Sequence, residues 1–180
     1  MTTVETIATF KGRPSKITKV SSARYTKELE ELTVIAEKFL KGVFFMDLAI
    51  PLKLNGRLTK ANGRFTFTEY ASGPRKGQKV AQSIQINTHY LQLALLDGER
   101  GWDNVVNTLK HELTHYALFE QGKDFDDGSA TFEMELKLRG IHSSGTKGYN
   151  LVYIDKNGDK WSYNSWDKSL VTTMVEYTHK

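Results

Sequence analysis

The chain has no cysteine in its 180 residues, so it can form neither a disulfide nor a thiolate metal site. No apolar run approaches the ~20 residues that a membrane-spanning helix needs. The first ten residues, Met1 to Phe10, show no basic stretch followed by an apolar one. That argues against a secretory signal and makes the cytoplasm the expected location, with no membrane partner. No internal repeat of ~20–50 residues is visible, which removes solenoids and propellers. What is present is ordinary for a globular chain, 39% hydrophobic and 26% charged. That composition and length fit one domain with a sizeable core and a small appendage.

The net charge of +4 hides an asymmetry. Between Thr6 and Lys27 lie Lys11, Arg13, Lys16, Lys19, Arg24 and Lys27, with no acidic residue. Between Lys53 and Lys79 lie Lys53, Arg57, Lys60, Arg64, Arg75, Lys76 and Lys79, against Glu69 alone. From Asp97 to Glu135 the sign reverses, with ten acidic residues to three basic. A basic first half suits a polyanion such as DNA, and an acidic second half suits a metal site. The candidate nucleic-acid contacts are Arg57, Lys60, Arg64, Arg75 and Lys76.

Periodicity places the elements. Residues 1–20 lack it and read as a loose arm. Leu29, Leu32, Ala36, Phe39 and Leu40 form one helical face over residues 24–41, with Gly42 as the stop. Val43 to Leu54 is rich in strand formers, and Pro51 makes it an edge strand or a bulged one. Arg64–Tyr70 and Val80–Asn87 read as an antiparallel hairpin around a Gly-Pro loop, followed by a short helix from Thr88 to Leu96. Trp102, Val105, Val106, Leu109, Leu113, Tyr116 and Ala117 keep helical spacing over residues 102–121, ended by Gly122. A further helix spans Ala130 to Arg139 and stops at Gly140. Beyond it, alternating strands flank Asn157-Gly158, a hairpin signal, and a third strand is expected over Ser169–Tyr177.

On the long helix stands His111-Glu112-Leu113-Thr114-His115, an H-E-x-x-H motif. Histidines at i and i+4 lie one turn apart on one face, so both imidazoles can reach one tetrahedral Zn²⁺. Glu112 is placed to take a proton from a zinc-activated water. A catalytic zinc needs a third protein ligand and one open position. Asp127, Glu135 and His142 are equally placed for it by chemistry alone. Oxyanion stabilisers could come from Tyr149, Arg139 or His142.

Residues 25–145 resemble the SprT-like (Spartan-type) metalloproteases. Asn55-Gly-Arg-Leu-Thr-Lys-Ala-Asn-Gly-Arg-Phe65 is similar to that family's N-x-R-L-x-x-x-x-G-x-aromatic segment. Ile84-Gln-Ile-Asn87 resembles its I-x-L-N strand, and Thr108 to His115 its L-x-H-E-L-x-H helix. The family's third ligand is usually a histidine in a loop a few residues before an aromatic. Phe132 looks like that aromatic, and Asp127 stands five residues before it, so the resemblance implies an aspartate as third ligand. Many members also carry a four-cysteine zinc ribbon after the core. Tyr149 to Tyr177 looks like its hairpins without the cysteines, held by Tyr153, Trp161, Tyr163 and Trp166.

The expectation is therefore an α+β fold. A zincin-like core, an antiparallel sheet packed by helices with HExxH on the central one, precedes a small C-terminal β-hairpin module. The expected divisions are a basic arm over 1–23, the core over 24–145 and the β module over 146–180. The expected function is zinc-dependent hydrolysis of peptide bonds in a protein or peptide substrate, extending to DNA-associated proteins. The competing expectation is a non-catalytic nucleic-acid- or protein-binding module on the same fold.

Overall fold

The computed structural model describes residues 22–58 and 61–143, and the backbone of three further strands within 151–171. A 3₁₀ turn, Ser22–Tyr25, leads into helix α1, Thr26–Phe39, which continues as a π-helical turn over Leu40–Phe44. Then come β1 (Leu52–Asn55), β2 (Gly63–Glu69), β3 (Lys79–Asn87), α2 (Thr88–Leu96), α3 (Gly98–Glu120) and α4 (Ala130–Leu138). Strands β4 (Leu151–Ile154), β5 (Lys160–Asn164) and β6 (Ser169–Val171) pair antiparallel in that order. The basic arm through Ser21, Lys60, Tyr149, the Asn157-Gly158 turn, Trp166 and residues 172–177 lie outside the described residues.

The first sheet has the order β1-β3-β2. The hairpin over 63–87 is antiparallel, as its alternating sequence predicts, with a bulge between Thr66 and Phe67. β1 instead runs parallel to β3, so this sheet is mixed and not wholly antiparallel. The reason is topological. The chain reverses between β1 and β2 while crossing from one side of β3 to the other, and β2 already opposes β3. Asn87 ties that crossing down: its Nδ2 donates to the carbonyls of Leu58 and Ala61, while its Oδ1 accepts from the N–H groups of His89 and Tyr90. One side chain thus closes the crossing loop and caps α2.

The core is built around α3, which touches α1, α2, β2, β3 and α4. Val105, Leu109, Leu113 and Ala117 of α3 are fully buried against Leu32 and Ala36 of α1, Leu40 of the π turn, Ile84 and Ile86 of β3, and Leu91 and Ala94 of α2. A second cluster joins Leu118 of α3 to Phe132 and Leu136 of α4 and to Ile141. Helices α2 and α3 meet so closely at Gly101 that a Cβ there would fall 1.8 Å from the Ala94 carbonyl oxygen.

Several boundaries differ from the expectation, and the long helix already begins at Gly98. The first helix runs past Gly42 as the π turn and ends at Phe45, whose φ of 56° is left-handed. The extra residue in that turn brings Phe44 into the core, edge-on to Phe39 at 5.8 Å. The expected strand over 43–54 is then confined to Leu52–Asn55. Val43, Met46, Leu48 and Ile50 pack against the core from a turn and a loop.

Phe45 is 90% exposed in that left-handed conformation, which costs a non-glycine residue about 1–2 kcal/mol. Phe45→Gly is expected to raise stability by about 0.5–1 kcal/mol, after allowing for glycine's greater unfolded entropy. Urea unfolding measures it, and a lower midpoint would show that the exposed ring stabilises the fold.

Candidate metal centre

The helical spacing of α3 sets His111 and His115 side by side, ring centroids 4.9 Å apart and side chains only 13% and 12% exposed. Three surrounding segments fix both rings. After Gly122, left-handed at φ 65°, the chain folds back along α3, and the Phe125 carbonyl accepts a hydrogen bond from His115 Nδ1 at 2.5 Å. From the other side, the His142 carbonyl accepts from His111 Nδ1 at 2.7 Å. That segment is clipped to α3 by Asn107, whose Oδ1 accepts from the His142 N–H at 2.9 Å. Beneath them lies the buried ring of Phe132, stacked on His115 at 4.0 Å and edge-on to His111 at 5.1 Å.

Carbonyl oxygens only accept, so each neutral imidazole carries its proton on Nδ1 and turns an Nε2 lone pair inward. The two Nε2 atoms are 3.2 Å apart, and Asp127 Oδ1 lies 3.2 Å from one and 3.4 Å from the other. Ligands bound at about 2.0–2.2 Å around a tetrahedral ion are roughly 3.3–3.6 Å from each other. Three electron-rich atoms at this spacing repel unless a cation or protons sit among them. The donor set therefore fits a divalent ion.

Asp127 comes from a turn that Gly128, at φ 83°, completes. The Gly128 N–H donates to Glu133 Oε1 at 3.0 Å, and Ser129 Oγ caps α4 by accepting from the Phe132 N–H. Among the described residues, His111, His115 and Asp127 are the group able to hold a metal. Glu135 faces elsewhere, paired with Arg139 at 2.7 Å, and the Arg139 guanidinium lies over the Phe44 ring. His142 enters through its backbone carbonyl.

Glu112 is buried between α3 and the edge of β2, only 8% exposed. Its Oε2 accepts the Phe65 N–H at 2.8 Å, a donor on the side of β2 away from β3. A Cβ on Gly63 would stand 2.8 Å from Glu112 Cγ, so the carboxylate occupies the space that a side chain at 63 would need. Burial pushes the Glu112 carboxyl above its usual range, against the pull of the two imidazoles and the Phe65 N–H. For His111, burial alone would lower the pKa. The hydrogen bond to Asp127, the Glu112 charge and the His142 carbonyl outweigh it, and the net shift is upward.

The basic residues divide. Arg57, whose backbone N–H donates to Asn55 Oδ1, and exposed Arg64 lie towards the start of β2. Arg75, stacked over Tyr70 at 4.2 Å, and Lys76 lie in the turn beyond its end. A strand of this length separates the two pairs by roughly 20 Å.

The orienting carbonyls of Phe125 and His142 and the donor N–H of Phe65 left no mark in the sequence, because backbone groups are common to every residue. Asn107, one turn before His111, carried a weak signal: a polar residue on the same face as the motif histidines.

The fold and site define an α+β protein whose HExxH helix presents a His-His-Asp group able to hold a metal ion. Over 112 residues the chain is 30% identical to "Protein SprT-like" of Bacillus subtilis (strain 168), which supports the SprT-like family resemblance carried by its motifs. The match takes in 62% of this chain and spans 60% of the relative's length. No protein-family model matches the chain, and no solved structure does. Among the described residues, no helix is long and apolar enough to cross a membrane.

The raised Glu112 pKa gives a stability prediction with a definite sign. The unfolded carboxyl ionises near its ordinary value of 4.5, while the folded one stays protonated to higher pH. The stability it contributes is full below 4.5 and is lost as pH rises through the folded value. In metal-free protein, Glu112→Gln keeps an acceptor for the Phe65 N–H without the buried charge. It should therefore raise Tm at pH 7 and leave it unchanged near pH 4. Equal Tm values at both pH values would show that burial does not penalise the carboxylate.

Proposed function

We propose that the chain is a zinc metallopeptidase of SprT-like type, with His111, His115 and Asp127 holding the ion and Glu112 as general base. The observation that carries this reading is the convergence of two Nε2 lone pairs and one carboxylate oxygen beside a buried carboxylic acid. Two imidazoles and a carboxylate are a catalytic zinc set that leaves a position open. When bound, the ion would bring the pKa of a water towards ~7 and polarise a carbonyl. Glu112 takes the proton of the attacking water and passes it to the departing amine. Its raised pKa suits both halves of that transfer. The Phe65 N–H holds the carboxylate in place, and the Phe125 and His142 carbonyls hold the imidazoles. Asp127 makes the set harder and more negative than three histidines, which also accommodates Mn²⁺. Residues 24–145 would form the catalytic core and 146–180 an appended module.

Elemental analysis of the purified protein after zinc supplementation tests this. About one zinc per chain is expected, lost in His111→Ala and weakened in Asp127→Ala. Glu133→Ala, which removes the acceptor of the Gly128 N–H beside Asp127, should weaken zinc by about fivefold, the worth of one hydrogen bond in the turn that presents the ligand. Glu112→Gln should keep the metal while peptide turnover falls by about 10²–10⁴-fold. Absence of metal would overturn the reading and leave a non-catalytic binding module on this fold.

Action on DNA-associated proteins is the finer part of the proposal. It rests on the family resemblance and on Arg57, Lys60, Arg64, Arg75 and Lys76. Binding to duplex DNA should then weaken steeply between 50 and 200 mM salt, on the order of tenfold or more for a few phosphate contacts. Combined Arg75→Ala and Lys76→Ala should flatten that slope by about two. Salt-independent binding would remove DNA from the proposal.

A further inference from the structure

A cleft of about 620 Å³ opens between the start of β3, the last turn of α3 and the loop after it. Its apolar lining includes Ile50, Val80, Ala81, Tyr116, Phe119 and Phe125. Phe119 and Phe125 belong to a cluster of four rings completed by Phe65 and Phe67, with neighbouring centroids 5.2–6.3 Å apart and most pairs edge-on or tilted. Phe67 remains 38% exposed. Four phenylalanines packed edge to face beside an open cleft are an unusual use of a surface, and a volume of this size falls in the range of ligand pockets.

The cluster is wired into the candidate centre at two points. Phe125 gives its carbonyl to His115 Nδ1, and Phe65 gives its N–H to Glu112. Phe119 follows His115 by one helical turn. A chain bound across the His-His-Asp group therefore has the cleft beside it, and successive residues of an extended chain advance only ~3.3 Å.

We propose that this cleft selects the substrate by taking a large apolar or aromatic side chain from the bound polypeptide. The peptide nature of the occupant rests on the peptidase reading; the selection rests on the cleft. A nucleic-acid base is the poorer occupant. Base stacking needs a free ring face, whereas these rings pack against one another, and the Lys79 ammonium lies over Phe67 at 5.7 Å. Lys79, Glu120 and Lys123 also line the cleft, so its charge does not decide the occupant, and the choice rests on the packed rings.

Binding separates this from catalysis. The full chain carrying Glu112→Gln and loaded with zinc is titrated with a fluorescein-labelled Ala/Gly/Lys octapeptide, and with versions holding one Phe at successive positions. At one position, Phe should tighten binding about tenfold or more over Ala. Ala49 is exposed and lines the cleft, so Ala49→Trp should fill it from the rim and abolish the preference at unchanged zinc content and Tm. Phe119→Leu, which keeps apolar packing but removes a ring, should reduce the preference and serves if the tryptophan variant fails to fold. Equal binding of all peptides, no binding, or a preference that survives both variants would overturn the proposal. So would tight binding of a labelled oligothymidylate that Ala49→Trp abolishes. Cleavage of the same peptides by the unsubstituted protein is read separately. A preference without cleavage would leave the cleft standing and sink the peptidase reading.

Discussion

Three electron-rich atoms, two imidazole nitrogens and a carboxylate oxygen, are held within 3.4 Å of one another, and the surrounding fold is arranged to keep them there. Left alone, the neutral rings would rotate or Asp127 would swing to solvent, since its side chain is 51% exposed. Each ring is instead pinned twice, by a carbonyl at Nδ1 and by the face or edge of Phe132. Those carbonyls come from two loops that must themselves be anchored, one by the Asn107 clip and the other by the reversal at Gly122. The second hydrophobic cluster, Leu118, Phe132, Leu136 and Ile141, supports both loops from below. Preorganisation here is a stack of ordinary contacts, each small, that together hold an arrangement no member would choose alone.

Glu112 shows the opposing demand. A carboxylate serves as a proton carrier near neutral pH only if its pKa is raised, and burial against β2 raises it at the expense of stability. The Phe65 N–H limits that cost without removing the shift. The strand edge that would otherwise carry an unpaired donor thus finds an acceptor on the helix.

Much of this was legible in the sequence where a period or a chemical type carried it. The 3.6-residue spacing from Trp102 to Ala117 marked α3, and the i, i+4 histidines marked one face of it. The third member of the group was not legible from chemistry alone, because Asp127, Glu135 and His142 are all competent ligands. What separates them is a chain reversal and a few backbone hydrogen bonds, while Glu135 is taken up by Arg139. Val43 to Ile50 misled because apolar residues bury equally well from a π turn and a loop. The basic run from Lys53 to Lys79 was legible as charge but not as a surface: neighbours in sequence sit at opposite ends of a hairpin, since an extended chain spends length quickly.

Gly63 adds something that a catalogue of functional groups would pass over. It has no side chain to donate, accept or bind, yet the Glu112 carboxylate fits only because nothing is there. One methyl group at that position would press first on the Glu112 side chain and on Thr108. On the peptidase reading, holding the ion and using it would then be separable at a single residue, with the signature motif still intact.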